Sequence, residues 1–190
     1  MHLKHSQSGF TLVELIFTIA VGLIFLTMAV PSYTTFSKNN RVTTLTNNLV
    51  TDINLARAEA ISRGVRVIMC RSANPGAASP TCGGTSNNWS TGWLIFASGD
   101  SNATYDSATD KLIRVGMVDA HEVVIKSNTA FDSDVQYNPD GTTNEGGNPG
   151  AFSICDDRGE DKGNKIRVIT TGRPRLYDSP LNSGECTTPS

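Results

Sequence analysis

Residues 10–30 read FTLVELIFTIAVGLIFLTMAV, and how this stretch is read decides how the rest of the chain is used. Its 21 residues contain no Lys, Arg, Asp or Pro and a single acid, Glu14. As a helix rising about 1.5 Å per residue they reach roughly 30 Å, the thickness of a bilayer's hydrocarbon core. Ahead of them stands MHLKHSQSG, short, polar and carrying Lys4. Positive charge before an apolar span holds that end in the cytoplasm and sends the remainder across. A cleaved secretory signal has a shorter apolar run, about 7–15 residues, ending at small residues. Here the run is longer, Pro31 follows it and small residues mark no cut, although a plain signal anchor also fits.

Glu14 is out of place in such a segment. An ionisable group inside a membrane costs on the order of 2.5–3.5 kcal/mol and marks a functional position unless it snorkels to the interface. A cut between Gly9 and Phe10 would free an amine on the first turn of the helix. Within one subunit or between two, that amine would neutralise the Glu14 carboxylate in the apolar phase.

These residues, Ser8-Gly9-Phe10-Thr11-Leu12-Val13-Glu14-Leu15, resemble the class III leader of type IV pilins and type II secretion pseudopilins. The resemblance implies removal of residues 1–9 by a prepilin peptidase, N-methylation of Phe10, and a role for Glu14 in docking the subunit among other pilin subunits. It also implies a single-pass inner-membrane protein whose domain lies in the periplasm and then in an extracellular fibre.

Working outward, residues 31–64 continue as a helix. Val42, Leu45, Leu49, Ile53, Ala56 and Ala60 recur at spacings of three and four and form one apolar stripe, and Gly64 supplies a stop. Lys38, Arg41, Arg57 and Arg63 lie on the other face and read as solvated. Residues 65–190 switch to period two, with strands expected at Val65–Cys70, Trp93–Ala97, Lys111–Val118, Glu122–Ser127, Ala151–Cys155 and Lys165–Thr171. Loops rich in Gly, Asn, Ser, Pro and Asp separate them, as at Ala73–Ser90 and Asn138–Gly150. The expected class is α+β: a long N-terminal helix, transmembrane in its first half, packed on a C-terminal antiparallel sheet domain. Leu49–Met69, containing Asp52-Ile53-Asn54-Leu55-Ala56-Arg57-Ala58-Glu59-Ala60-Ile61, is similar to the GspH/FimT branch of minor pilins and pseudopilins, which implies the pilin fold.

Cys70, Cys82, Cys155 and Cys186 all follow the apolar span, where an oxidising compartment favours disulfides. Three pairings are open; Cys70–Cys82, closing the Gly/Pro-rich loop, and Cys155–Cys186, pinning the tail, are favoured. Zinc is disfavoured because no CxxC pair occurs and His121 is the one histidine beyond the leader. No phosphate loop or nucleophile elbow occurs, and His121 beside Glu122 reads as a surface residue. Asp100, Asp106 and Asp110 lack calcium-loop spacing and read as a solvated acidic loop. Nothing argues for an enzyme, a cofactor or a metal.

Among the 190 residues, 16 Lys+Arg against 18 Asp+Glu exclude a globally basic coat, but the charge is segregated. Nine acids against three bases occupy Asp100–Glu145, whereas Lys162, Lys165, Arg167, Arg173 and Arg175 fall in a stretch without an acid. In Gly172-Arg173-Pro174-Arg175 the two arginines project to one side of an extended chain, about 6.6 Å apart, and each guanidinium can grip a phosphate. Pro174 confines the segment to an edge or a loop. Charged edge strands also serve simply to block aggregation. The GRxR pattern is similar to one that FimT-type minor pilins use to bind DNA in natural transformation, which implies Arg173 and Arg175 as DNA contacts, with Lys162, Lys165 and Arg167 as nearby charge. Engaging four or five phosphates would give a salt slope of about −4, without sequence readout because aromatic side chains hardly interleave. Two other functions fit: a minor pilin that primes or caps fibre assembly, and a GspH-type pseudopilin of a type II secretion system.

Overall fold

The computed structural model describes residues 9–100, 102–118, 122–143, 149–177 and 180–187, apart from the side chains at 28, 29 and 31. Lys4, Ser8 and the rest of the leader before Gly9, His121, and residues 144–148 of the Asn138–Gly150 loop lie outside the described residues. Helix α1 runs Leu12–Arg63 and is shared by two units, one ending at Lys38 and one comprising Asn39–Ser190.

In the first unit, Thr11 caps the helix: its hydroxyl accepts from the Glu14 amide at 3.2 Å. Glu14 sits in the first turn, where the positive end of the helix dipole favours an acid. Leu12, Val13, Ile16, Phe17, Leu23, Ile24, Phe25 and Leu26 are all exposed, so this apolar surface is left without cover by the chain itself. The helix is long and apolar enough to cross a membrane.

In the second unit the apolar stripe becomes the spine of the core. Val42, Leu45, Leu49, Ile53, Ala56 and Ala60 are all buried, the last four completely. The helix stops at Gly64, which adopts φ +64° while its amide still donates to the Ala60 carbonyl at 3.0 Å.

Two antiparallel four-stranded sheets share this spine, where the sequence suggested a single sheet. Strands β1 (Val67–Arg71), β2 (Gly92–Ala97), β3 (Lys111–Met117) and β5 (Asp134–Tyr137) form one sheet in the order β3-β2-β1-β5. Strands β4 (Val124–Ser127), β6 (Gly150–Cys155), β7 (Asn164–Val168) and β8 (Pro174–Tyr177) form the other in the order β4-β6-β7-β8. Strands β5 and β8 were not expected from sequence. Both are four residues long, and one begins with proline, so neither carries the β-branched run that marks the others.

Alternation explains how both faces of the sheets are used. Val67 and Met69 of β1, with Trp93 and Ile95 of β2, join the helix stripe. Their neighbours Ile68, Cys70, Leu94 and Phe96 form a second cluster on the opposite face, under Tyr105 and Leu112. In the other sheet Phe152, Ile154, Ile166 and Val168 face the core. Trp89 stacks edge-on against Phe152, ring centroids 5.1 Å apart, and donates its indole N–H to Ser127 and the Phe131 carbonyl.

Asp52 is a charged residue within the apolar stripe region, only 2% exposed. Its carboxylate accepts the Trp93 indole N–H at 2.8 Å and pairs with Arg114 Nε at 2.8 Å. Burial nonetheless holds its pKa above the ordinary 3.8, outweighing the Trp93 bond and the Arg114 charge, which pull it down. Because the folded state disfavours the ionised form, Asp52 costs stability as pH rises from the unfolded value through the folded one. Asp52→Asn, which keeps the acceptor for Trp93, is expected to gain stability relative to the parent as pH is raised from 4 to 7. Urea unfolding of both chains at the two pH values measures this; a relative loss on raising pH would contradict it.

Candidate functional site

The basic segment folds as the β7–β8 hairpin. Strand β7 ends at Val168 rather than at Thr171, because Ile169–Gly172 make a turn closed by the Gly172 amide donating to the Ile169 carbonyl at 2.7 Å. Gly172 adopts φ +75°, and a Cβ there would meet the Gly141 carbonyl, the Tyr137 ring and Arg57 Nε. Glycine is therefore required twice over, by conformation and by space. Strand β8 then lies at the sheet edge, where Pro174 sacrifices no interior ladder bond.

Three parts of the core hold this turn. Arg57 Nε, on the helix, donates to the carbonyls of Gly141 at 3.0 Å and Thr171 at 3.3 Å. The Tyr137 hydroxyl donates to the Gly172 carbonyl at 3.2 Å, and the Thr143 amide to the Thr170 carbonyl at 3.0 Å. Tyr137 is fully buried, and burial pushes its phenol well above the ordinary 10, against the pull of the Arg57 charge, so it stays a donor across the physiological range.

The register sorts the five basic residues. Arg167 lies directly opposite Arg175, so both project from the sheet face turned away from the helix, with Cβ atoms about 5 Å apart. Arg173 and Arg175 are exposed and share the lining of one shallow depression with Arg57, Ile169 and Thr171. Lys165 departs from the expected cluster of exposed charge. It is 8% exposed and ion-paired with the buried Glu185 of the C-terminal tail. Lys162 lies beyond the opposite end of β7, lining a groove with Asn39, Thr43, Asn164 and Leu176. Arg173 and Arg175 thus share one depression, Arg167 stands opposite Arg175 but lines a separate recess with Lys165 and the tail, and Lys162 lies apart.

Arg57 and Tyr137 are the parts of this arrangement that sequence reasoning missed. A faint signal existed for Arg57, which has no acid three or four residues away on the helix. Arg63 has Glu59 at that spacing and pairs with it. Nothing in a four-residue strand marked Tyr137.

The remaining candidates fall elsewhere. Gly9 and Phe10 precede the helix and are exposed, Phe10 at 84%. Disulfides join Cys70 to Cys82 and Cys155 to Cys186. Each staples a loop or the tail to the sheet face turned away from the helix. Asp110 is buried rather than solvated, accepting from the amides of Gly99 and Asp106, both at 2.9 Å. Asp100 and Asp106 likewise bond amides of their own loop.

Comparison with known proteins places these features. Residues 4–30 match the model of the prokaryotic N-terminal methylation motif, and residues 45–172 match that of type II transport protein GspH. The second match ends at Gly172, one residue before Arg173. No curated protein sequence matches the chain. A crystal structure of the type IV minor pilin FimU of Pseudomonas aeruginosa (strain PAO1) is similar in fold, at 18% identity and TM-score 0.59, over 80% of this chain and 98% of that one. A second crystal form of FimU aligns at 17% identity and TM-score 0.48, over 74% and 95% of the two chains. With a methylation motif at its start and one family model matching two-thirds of its length across the helix-spined, two-sheet domain, this chain is a member of the GspH family of pilin-like subunits.

Proposed function

We propose that this protein is a minor type IV pilin that captures extracellular DNA for natural transformation, gripping the phosphate backbone with the arginines of its β7–β8 hairpin. The observation that carries this reading is the pair Arg173 and Arg175 at the sheet edge, with Arg167 opposite Arg175 on the next strand and no carboxylate paired to any of the three among the described residues. Like charges placed side by side weaken a sheet, and a polyanion relieves that repulsion. Tyr177 is the one aromatic side chain on this strand, so binding is to phosphate and blind to sequence. Repetition along a fibre would strengthen a weak single contact by avidity.

Entry into the fibre follows from the other end of the chain. Residues 1–9 are the leader, residues 10–30 cross the inner membrane and then form the fibre core, residues 31–64 complete the helix, and residues 65–190 form the exported domain. The peptidase cuts after Gly9, Phe10 is methylated, and Glu14 offsets the new amine of a neighbouring subunit. Intact-mass measurement of protein purified from its natural host is expected to give a chain beginning at methylated Phe10. Glu14→Ala is expected to be processed normally yet lost from sheared fibres; its recovery there at the parental level would refute this role for Glu14.

For DNA, the full chain in detergent is expected to bind a labelled duplex with a salt slope of about −3, for three engaged phosphates. Arg173→Ala combined with Arg175→Ala is expected to abolish the gel shift while leaving fibres assembled. A double variant that shifts DNA like the parent would overturn the mechanism.

The description of the matching family as a type II transport protein favours a second reading, a pseudopilin of a secretion system whose partners are secreted proteins. On that reading deletion impairs secretion, and the arginine substitutions are silent.

A further inference from the structure

We infer that Arg57 joins Arg173 and Arg175 as a further phosphate contact, each of the three arginines taking its own phosphodiester group of the DNA backbone; this deepens the DNA-binding reading and rests on it.

Arg57 comes from the helix, more than a hundred residues before the hairpin arginines, and does two things at once. Its Nε is committed to the backbone of the turn, through the carbonyls of Gly141 and Thr171. A guanidinium has five N–H donors in a fixed fork. The four on Nη1 and Nη2 have no protein acceptor among the described residues, although the side chain is half-buried. Arg57 lines one depression together with Arg173, Arg175, Ile169 and Thr171.

Five other arginines of the domain have protein partners. Arg41 pairs with Glu122, Arg63 with Glu59, Arg114 with Asp52 and Arg158 with Asp156, while Arg71 donates to the Gly84 and Thr85 carbonyls. No carboxylate reaches the three guanidiniums of the depression among the described residues. The Thr171 hydroxyl-bearing residue and the turn backbone supply the only other polar lining. Three guanidiniums around one open recess, with no carboxylate paired to them among the described residues, form a site for successive phosphate oxyanions, each accepting charge-assisted hydrogen bonds. Because Nε is already tied down, the Arg57 fork is held in register with the loop that carries Arg173. Less rotamer freedom is then lost on binding than for a free surface arginine. The tether also fixes the distance between helix and hairpin, so the DNA backbone is gripped from two elements rather than from one strand.

The full chain in detergent micelles, titrated with a fluorescein-labelled 30-bp duplex between 50 and 200 mM NaCl, separates contact from tethering. With Arg57 as a fourth contact the parental slope is expected at about −3.6, against the about −3 that the three hairpin arginines alone would give. Arg57→Gln is expected to weaken binding about tenfold and to flatten the slope by about 0.9, the loss of one phosphate contact. An affinity loss at the parental slope would make Arg57 a tether only and overturn the inference, as would parental affinity. A second measurement needs no substitution. Phenylglyoxal modification of the parent, mapped by mass spectrometry, should show the duplex protecting Arg57 together with Arg173 and Arg175. Inorganic phosphate at the same phosphate concentration should leave Arg57 reactive. Arg57 modified equally with and without duplex, or protected equally by inorganic phosphate, would overturn a DNA-backbone site. A parent that binds no duplex at all would sink the DNA-binding reading itself, and this inference with it, before any variant is compared.

Discussion

A single stripe of helix side chains, Val42 to Ala60, is the surface on which both sheets close, and every other feature of the domain is arranged around it. The stripe narrows toward its C-terminal end, from Leu49 and Ile53 to Ala56 and Ala60. Small residues there let the strands and the Tyr137 ring approach the helix closely. Burying these apolar groups is the main favourable term in holding the domain together, at roughly 1.5–3 kcal/mol for each large side chain. The tolerance for charge inside this region is correspondingly narrow. Asp52 is accepted because an indole N–H and a guanidinium both reach it, and even so burial works against its ionised form.

The two sheets solve the same problem in the same way. Each has one face on the helix and another that must be hidden by something other than secondary structure. In the first sheet Cys70 projects away from the helix and is bonded to Cys82, drawing the loop after β1 across that face. In the second, Cys155 projects away and is bonded to Cys186, drawing the tail across. Lys165 is caught under that tail and must be neutralised, which Glu185 does. A residue that looks like part of a basic patch in sequence is thereby consumed in holding the cover down. Arg173 and Arg175 stay exposed, and Arg167, which lines a recess with the tail, is half-buried.

The hairpin is therefore not a loose appendage. Its turn is bonded to the helix through Arg57, to β5 through Tyr137 and to the following loop through Thr143. Fixing the turn fixes the direction of the arginines it leads into, so part of their ordering cost is already met by the core. Gly172 is the point where these constraints meet, since its missing Cβ is the space in which the Gly141 carbonyl, the Tyr137 ring and Arg57 Nε come together.

Much of this was legible in the residues alone. The apolar run from Phe10, the stripe from Val42, the stop at Gly64 and six of the eight strands are local patterns, and local periodicity reports faithfully on which side of a helix or strand is buried. Glycine and proline around Arg173 and Arg175 were enough to put that segment at an edge. Other matters had no local signature. The division of the strands between two sheets, the short strands β5 and β8, the face shared by Arg167 and Arg175, the capture of Lys165 by Glu185 and the reach of Arg57 to the turn all depend on strand register and on contacts between residues far apart in the chain. A side chain's neighbours across a sheet are set by pairing and not by spacing, so the sequence determined the elements and their polarity, while the tertiary structure alone decided which positive charges are spent inside the molecule and which are left to meet a partner.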